Sequence, residues 1–407
     1  MKLLFICTGF LPYTFSENLC NGKLVYALLK AGYEVDIISK KDEGPQYNSR
    51  WQEPWLPLMP LTHEVSYKSD TKFQRFIDVL YSCLTLHLLP IEGVRWIRRA
   101  YKTAVTLHKH KHYDAIITRS PTDIAHYVGF RFSKKFHIIW IANWNDPATL
   151  IWPEPYTHKF PKWKQFALNI YTKQCLRQAT YNSFPSEFLL QHFKEHFTFL
   201  NSKQNVVIPH IGLHESIFPK TSSNCTSKTF RMCHSGNLST ERDPRLLFQV
   251  LRELLYKGCE IQFDIMGYIN DYVEQLISEY GLQDNVRFIG SYSYIDALVK
   301  MSEYDVLVLI EAIMEKGIFF PSKFTDYAQL GKPILAVSPK NGFAHDMLNR
   351  FKGGIAVDNN NIESIKDGIT TFYASWQNNT LSTEYSSNRL FNNFSTERIV
   401  GTFKTIL

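Results

Sequence analysis

The feature that most constrains this chain is a repeated alternation of short apolar runs with amphipathic segments. Residues 2–8 read as an apolar strand, and residues 18–31 as a helix with Leu24, Leu28 and Leu29 on one face. Gly32 stands where a helix C-cap belongs, and residues 34–39 form the next apolar run. After a Pro- and Trp-rich stretch over 45–70, read as a long loop, Phe73, Phe76, Ile77, Leu80, Leu84 and Leu88 recur at helical spacing until Pro90. A second helix covers 94–108. Strands over 115–118, 137–142, 180–184 and 205–209 then alternate with helices over 121–132, 162–178 and 186–196. A polar stretch, SIFPKTSSNCTSK, interrupts the pattern, and a second strand–helix series starts at Phe230. Such alternation calls for parallel sheets covered by helices on both faces. The expected organisation is a first α/β domain over 1–213, a linker over 214–228, a second α/β domain over 229–378, and a tail over 379–407. The tail should end in a helix over 396–406 that packs back on the first domain.

Bulk properties narrow the field. A chain of 407 residues exceeds what one core supports, and 44% hydrophobic with 20% charged residues is an ordinary globular composition. The net charge of +7 permits attraction to phosphate, nucleotide or anionic lipid without arguing for nucleic acid. Basic residues cluster from Arg95, Arg98, Arg99 and Lys102 through Lys109, Lys111, Arg119, Arg131, Lys134 and Lys135. That cluster fits either a solvated helix face or a patch facing membrane or acceptor. Seven scattered cysteines with no CxxC pair suit reduced thiols in a cytoplasmic protein. The start, MKLLFICTGF, reads as a strand rather than a signal peptide, and no apolar run is long enough to span a bilayer. There is no GxG, no GxxxxGK[ST], no HExxH, no GxSxG and no Asp-x-Asp. A diphosphate would therefore be neutralised by side-chain cations and helix N-termini rather than by a metal on paired aspartates.

Residues 321–336, PSKFTDYAQLGKPILA, compress a helix start, a Gly331 stop and a buried strand into one unit. This places Ser322, Lys323 and Asp326 at a helix N-terminus, where an anion is favoured. The segment resembles the nucleotide-sugar-binding helix of GT-B glycosyltransferases, in particular the retaining enzymes of group 1, or family 4. The resemblance implies two Rossmann-like doubly wound domains facing a central cleft. It extends to MCHSGNLSTERDPR, residues 232–245, where Gly236 matches the family's strand-ending glycine. Asn237 stands where the family commonly has arginine, and Arg242 replaces a lysine of the diphosphate clamp; its alternative is a pairing with Glu241 or Asp243. Lys323 is the second clamp cation, and Asp326 occupies the place of the carboxylate that grips the ribose. The first acid of the family's glutamate pair is missing, because Ile318 stands there; Glu311 and Glu315 are the nearby acids. Residues 288–294, FIGSYSY, resemble the loop that reads the base, which brings in Tyr292, with Gly267 beside it.

In the first domain, IIWIANWNDPATLIWPEP resembles a pattern in which a buried strand delivers an Asp-Pro pair. Asp146 would orient or deprotonate the acceptor hydroxyl or serve as a helix-capping acid, with Asn143 and Trp144 beside it. The first strand–helix loop, TGFLPYTFSENLCNGK, keeps the family's Phe-Leu-Pro but not its glycine pair, leaving Asn18, Asn21 and Gly22 to approach acceptor or phosphate. VVIPHIG resembles the family's Pro-Asn-Gly run, with His210 for Asn. Trp51, Trp55 and Trp96 fit stacking on sugar, contact with lipid, or ordinary core packing.

The resemblance implies transfer of a hexose-type sugar from a nucleotide-diphosphate-sugar donor to a glycan or lipid-linked acceptor, with retention and without a metal or other cofactor. The expected setting is cytoplasmic polysaccharide or cell-surface glycan synthesis, with peripheral contact at the inner face of a membrane and no nucleic-acid partner. Two rivals stand beside it, a nucleotide-sugar epimerase on the same scaffold and a GT-B module that binds without turnover.

Overall fold

The structure, a computed structural model, describes residues 1–11, 15–41, 53–67, 71–85, 93–221 and 227–407. Trp51, Pro90 and Cys225 lie outside the described residues. The chain divides into two compact units, Met1–Ile211 with Ile399–Leu407, and Gly212–Arg398.

The first unit is built on strands β1 (Lys2–Cys7), β2 (Glu34–Lys41), β3 (Thr62–Ser66), β4 (Ala115–Arg119), β5 (Ile139–Asn143), β6 (Tyr181–Phe184) and β7 (Asn205–Val207). All pair parallel in the order 3-2-1-4-5-6-7. Its helices are α1 (Ser16–Lys30), α2 (Lys72–Thr85), α3 (Val94–Lys111), α4 (Ile124–Phe136), α5 (Lys162–Gln178) and α6 (Glu187–His196). The central strands are apolar throughout because both faces are covered; Leu3 to Cys7 and Ala115 to Ile117 are fully buried. Each such side chain contributes about 1.5–3 kcal/mol on leaving water.

Two readings change. The stretch over 45–70 is not loop throughout, because a 3₁₀ segment at Glu53–Leu61 leads into β3, which pairs along β2. β3 has the sequence THEVS, and only Val65 is buried, so this edge strand lacks the apolar run that marks its neighbours. The helix expected from 121 starts at Ile124. Thr8 holds the preceding turn: its Oγ1 donates to the Pro121 carbonyl (2.9 Å) and accepts from the Thr122 amide (3.1 Å). Trp55 and Trp96 are buried in the core, and Trp55 meets the Tyr26 ring edge-on at 6.3 Å. Cys7, Cys20, Cys175 and Cys233 are free and buried.

The second unit carries β8 (Phe230–Ser235), α7 (Arg245–Tyr256), β9 (Ile261–Met266), α8 (Asp271–Glu279), β10 (Val286–Phe288), α9 (Tyr294–Met301) and β11 (Val306–Ile310). It continues through α10 (Ser322–Gln329), β12 (Ile334–Ser338), α11 (Phe343–Phe351), β13 (Gly354–Asp358) and α12 (Ile362–Gln377). The sheet is parallel in the order 10-9-8-11-12-13. In both units the strand order reverses beside the first strand, between β1 and β4 and between β8 and β11. Open α/β sheets bind ligands outside the carboxyl ends of the strands at that reversal. Gly236 follows β8 and the Ser322–Asp326 run follows β11 at one such place, and Asn18 and Gly22 follow β1 at the other, while Asn143, Trp144 and Asp146 stand at the end of β5, one strand further out.

Candidate functional site

In the second unit, β8 reads FRMCHS and stops at Gly236, whose φ of +119° lies where only glycine is unstrained. The Gly236 amide donates to the Met266 carbonyl (2.8 Å), drawing the ends of β8 and β9 together. A Cβ at Gly267 would lie 2.8 Å from the Gly236 carbonyl oxygen, so this approach requires a second glycine. Asn237 closes the turn by accepting from the Tyr268 amide (3.1 Å). Its observed contact is thus to the neighbouring loop.

The helix α10 starts at Ser322 behind Pro321, which has no side chain to cap the first-turn amides. In the same unit Asn270, Ser293 and Asn361 each accept from a first-turn amide, whereas α7 behind Pro244 and α11 behind Gly342 start without a side-chain cap as α10 does. The uncapped start of α10 carries Lys323, whose Nζ donates to the Ser235 carbonyl and lies against the face of Gly236, where any Cβ would collide with it. The backbone conformation calls for glycine at this position, and the space a Cβ would fill is taken by the lysine from another element. Tyr327 locks the helix to the strand, accepting from the Ser235 amide (2.9 Å) and donating to the Val308 carbonyl (3.4 Å). One turn into α10, Asp326 accepts from the Tyr294 hydroxyl (2.7 Å). Ser322 and Tyr292 are partly buried, and Tyr292 sits in the loop that leads to α9.

Glu311 follows β11 directly. Its amide donates to the Val337 carbonyl (3.0 Å), and the buried Asn359 donates to the carbonyls of Glu311 (3.1 Å) and Ala312 (3.0 Å). Burial pushes the Glu311 carboxyl up to about 8 even though the charges of Arg242 and Lys323 oppose the shift. Burial likewise draws Lys323 down to about 7, helped by the nearby Arg242 charge and resisted by Glu311, Cys233 and Asp326. Arg242 is exposed, and its amide, rather than its guanidinium, contacts Ser239 (3.3 Å). Its charge is felt at Lys323, Glu311 and His234, so the structure brings these four groups into one electrostatic neighbourhood. Asp243 turns to Arg245 instead (3.9 Å).

His234 gave no signal in the sequence, where it reads as one more residue of a buried strand. It is fully buried, and its Nδ1 lies 3.0 Å from the Val308 carbonyl. A carbonyl only accepts, so the proton sits on Nδ1 and the lone pair on Nε2, which has no hydrogen-bond partner among the described residues. Burial, then the Lys323 charge, push the imidazole far below its usual range and keep it neutral.

The first unit shows a different arrangement. Asn18 donates to the Phe10 carbonyl (3.0 Å) and Asn21 to the Gly9 carbonyl (2.7 Å), so both hold the β1–α1 turn. Gly22 lies against Leu11, where a Cβ would clash. Asn143 is buried on β5 and donates to Ser183 (2.9 Å). Trp144 is fully buried, donates to Asn182 (3.2 Å) and packs its ring on His126 (4.0 Å) and Phe193 (5.3 Å). These residues were expected to approach an acceptor, yet each is engaged in holding the scaffold. Asp146 stands partly buried on the bend three residues past β5.

Beside it, at the end of β4, is a network that sequence reasoning missed. Arg119 donates to Glu17 (3.0 Å), Asn145 (3.0 Å) and His210 Nδ1 (3.4 Å). Asn145 in turn donates to Glu17, and its amide donates to Ser120 (3.1 Å). Burial raises the Glu17 carboxyl against the pull of Arg119. Glu17 and Arg119 are separated by 102 residues, so no local spacing marks them as partners.

Residues 218–388 match the family described as glycosyl transferases group 1. No curated protein matches the chain. Among solved structures, a glycosyltransferase from Rickettsia africae is similar with a TM-score of 0.69, over 100% of this chain and 97% of its own, at 17% identity. Anabaena HepE in complex with UDP and glucose is similar at 0.68, over 100% and 98% of the two chains, at 16% identity. The catalytic domain of starch synthase IV from Arabidopsis thaliana, bound to ADP and acarbose, is similar at 0.66, over 100% and 98%, at 11% identity. The chain therefore has the GT-B fold, and its residues 218–388 match the family described as glycosyl transferases group 1.

Proposed function

We propose that this protein transfers a hexose-type sugar from a nucleotide-diphosphate-sugar to a hydroxyl of a glycan or lipid-linked acceptor, with retention at the anomeric carbon, in synthesis of a polysaccharide or cell-surface glycan at the cytoplasmic side. The observation that carries this reading is Lys323, held against Gly236 at the uncapped start of α10. A partly buried ammonium, the exposed Arg242 guanidinium and a helix start with no side-chain cap suit a departing diphosphate. No metal is required where two cations and a helix N-terminus share the developing charge. Asp326, on the next turn, would take the ribose hydroxyls, with Tyr294 fixing its carboxylate. Tyr292 and the Gly236–Gly267 contact would border the base, while Asp146 would meet the acceptor hydroxyl. The complexes of similar folds with UDP and with ADP support a nucleotide donor in general terms.

The test is incubation with a panel of labelled UDP-, GDP- and ADP-sugars, with and without lipid-extract and oligosaccharide acceptors, followed by product separation. The expected outcome is label in acceptor from one donor, dependent on acceptor. Acceptor-independent release of a free epimer would establish the epimerase instead. Binding of a donor without consumption across the acceptors would establish a non-catalytic module.

A further inference from the structure

The helix α2 is inverted relative to an ordinary surface helix. Its inward face holds Asp78, fully buried, paired by Arg98 and by Arg99 Nη2 (3.3 Å) of α3. Its Tyr81 ring lies under Arg98 (4.4 Å) and Lys102 (5.1 Å). The outward face is apolar: Phe73 is 73% exposed, Phe76 63%, Ile77 39%, Leu80 45% and Leu84 68%. At about 100° per residue these five side chains fall within one stripe of about 100°. A helix that turns charge inward and a Phe/Leu stripe outward presents the kind of contiguous patch that marks an interaction surface.

Charge identifies the partner. α2 packs on α3, α3 on α4 and α4 on α5. Asp78 is the only acid in these four helices, and it is buried under arginines. Lysines and arginines number two in α2, six in α3, three in α4 and four in α5. Lys72 and Lys102 are exposed at the borders of the stripe, Lys72 next to it on the helix and Lys102 over the Tyr81 ring. At the far end of this row of helices, Trp163 (52%) and Phe166 (64%) are exposed at the start of α5, with Lys159 and Lys162 also exposed. Exposed Phe, Leu and Trp among basic residues, with no exposed acid on these helices to repel phosphate, match the surface of an anionic bilayer. Among the described residues no helix is long and apolar enough to cross a membrane, so such contact would be interfacial.

We propose that the exposed face of α2, flanked by the basic residues of α2 and α3, is a docking surface for an anionic lipid bilayer, with Phe73, Phe76, Leu80 and Leu84 entering the headgroup–acyl boundary. Nothing in this surface depends on sugar chemistry, so its failure and that of the transferase reading are separable.

The test is flotation of the full chain with vesicles of phosphatidylcholine alone and of phosphatidylcholine mixed with phosphatidylglycerol. Binding is expected to the mixed vesicles and to weaken with salt. Phe76→Gln with Leu80→Gln removes the apolar groups without adding charge and is expected to weaken partitioning by about tenfold or more. Lys72→Ala with Lys102→Ala is expected to weaken binding to the mixed vesicles alone. Both pairs are exposed, so an unchanged melting temperature checks that the fold is intact. The proposal is overturned if the wild type ignores mixed vesicles or if the Gln pair binds as well as wild type. It is equally overturned if the Gln pair instead abolishes a concentration-dependent dimer, which would make the stripe a self-interface.

Discussion

Lys323→Ala is expected to lower kcat/KM for the donor by about 10²–10³-fold, the loss that follows when one preorganised cation or donor is removed from a developing anion. The same substitution leaves stability nearly unchanged or slightly raised. Lys323 makes its visible hydrogen bond to a backbone carbonyl, and burial already drives its ammonium down to about 7. Deleting it removes a desolvation cost together with the bond. Steady-state kinetics and a thermal melt on one preparation check both halves. A large fall in melting temperature with an unchanged kcat/KM would make Lys323 a structural residue.

Arg119→Met is expected to have the largest effect on stability, about 3–5 kcal/mol, because it strands the Glu17 carboxylate in a buried site. Arg119 is 5% exposed and also holds Asn145 and His210, so the loss propagates through four side chains. The pH dependence follows from the direction of the Glu17 shift. A carboxyl whose folded pKa is raised favours the native state most when protonated, and that advantage fades as pH rises through the unfolded and then the folded pKa. Removing Arg119 raises the folded pKa further, so the deficit relative to wild type should be larger at about pH 8 than at about pH 5. Denaturant melts at the two values measure it, and an equal deficit at both would refute the assignment of a stranded charge.

Much of the scaffold was legible in the sequence because parallel strands buried on both faces are apolar along their whole length. β1, β11 and β12 each come close to this pattern, and glycines mark several of the turns that follow. β3 was not legible, since an edge strand reading THEVS needs no apolar run. Lys323 and Gly236 were legible as separate motifs, but their contact was not, because a glycine needed for a neighbour's side chain looks like a glycine needed for a turn. Trp144 shows the opposite ambiguity. An aromatic residue just past a strand end has the same pattern whether it faces ligand or core, and only its contacts with His126 and Phe193 decide. The α2 stripe was visible as periodicity, yet periodicity finds a face without saying whether anything covers it. Glu17 and Arg119 meet only through the 2-1-4 strand order, which no local spacing encodes.

The most direct measurement is calorimetric titration with the nucleoside diphosphate and the bare nucleoside of the base chosen by the donor panel, from about pH 7.5 to about pH 9, where the terminal phosphate, with a second pKa of about 6, is almost fully ionised. An anion bound at Lys323 favours the ammonium, whose free value is about 7, and the neutral Glu311 carboxyl, whose free value is about 8. Both groups lose the favourable form as pH rises, so the two effects have one sign. The diphosphate should bind far more tightly than the nucleoside and lose affinity through this range, while the nucleoside's affinity stays flat. Equal affinities for the two ligands, or a diphosphate affinity independent of pH, would contradict the Lys323 clamp.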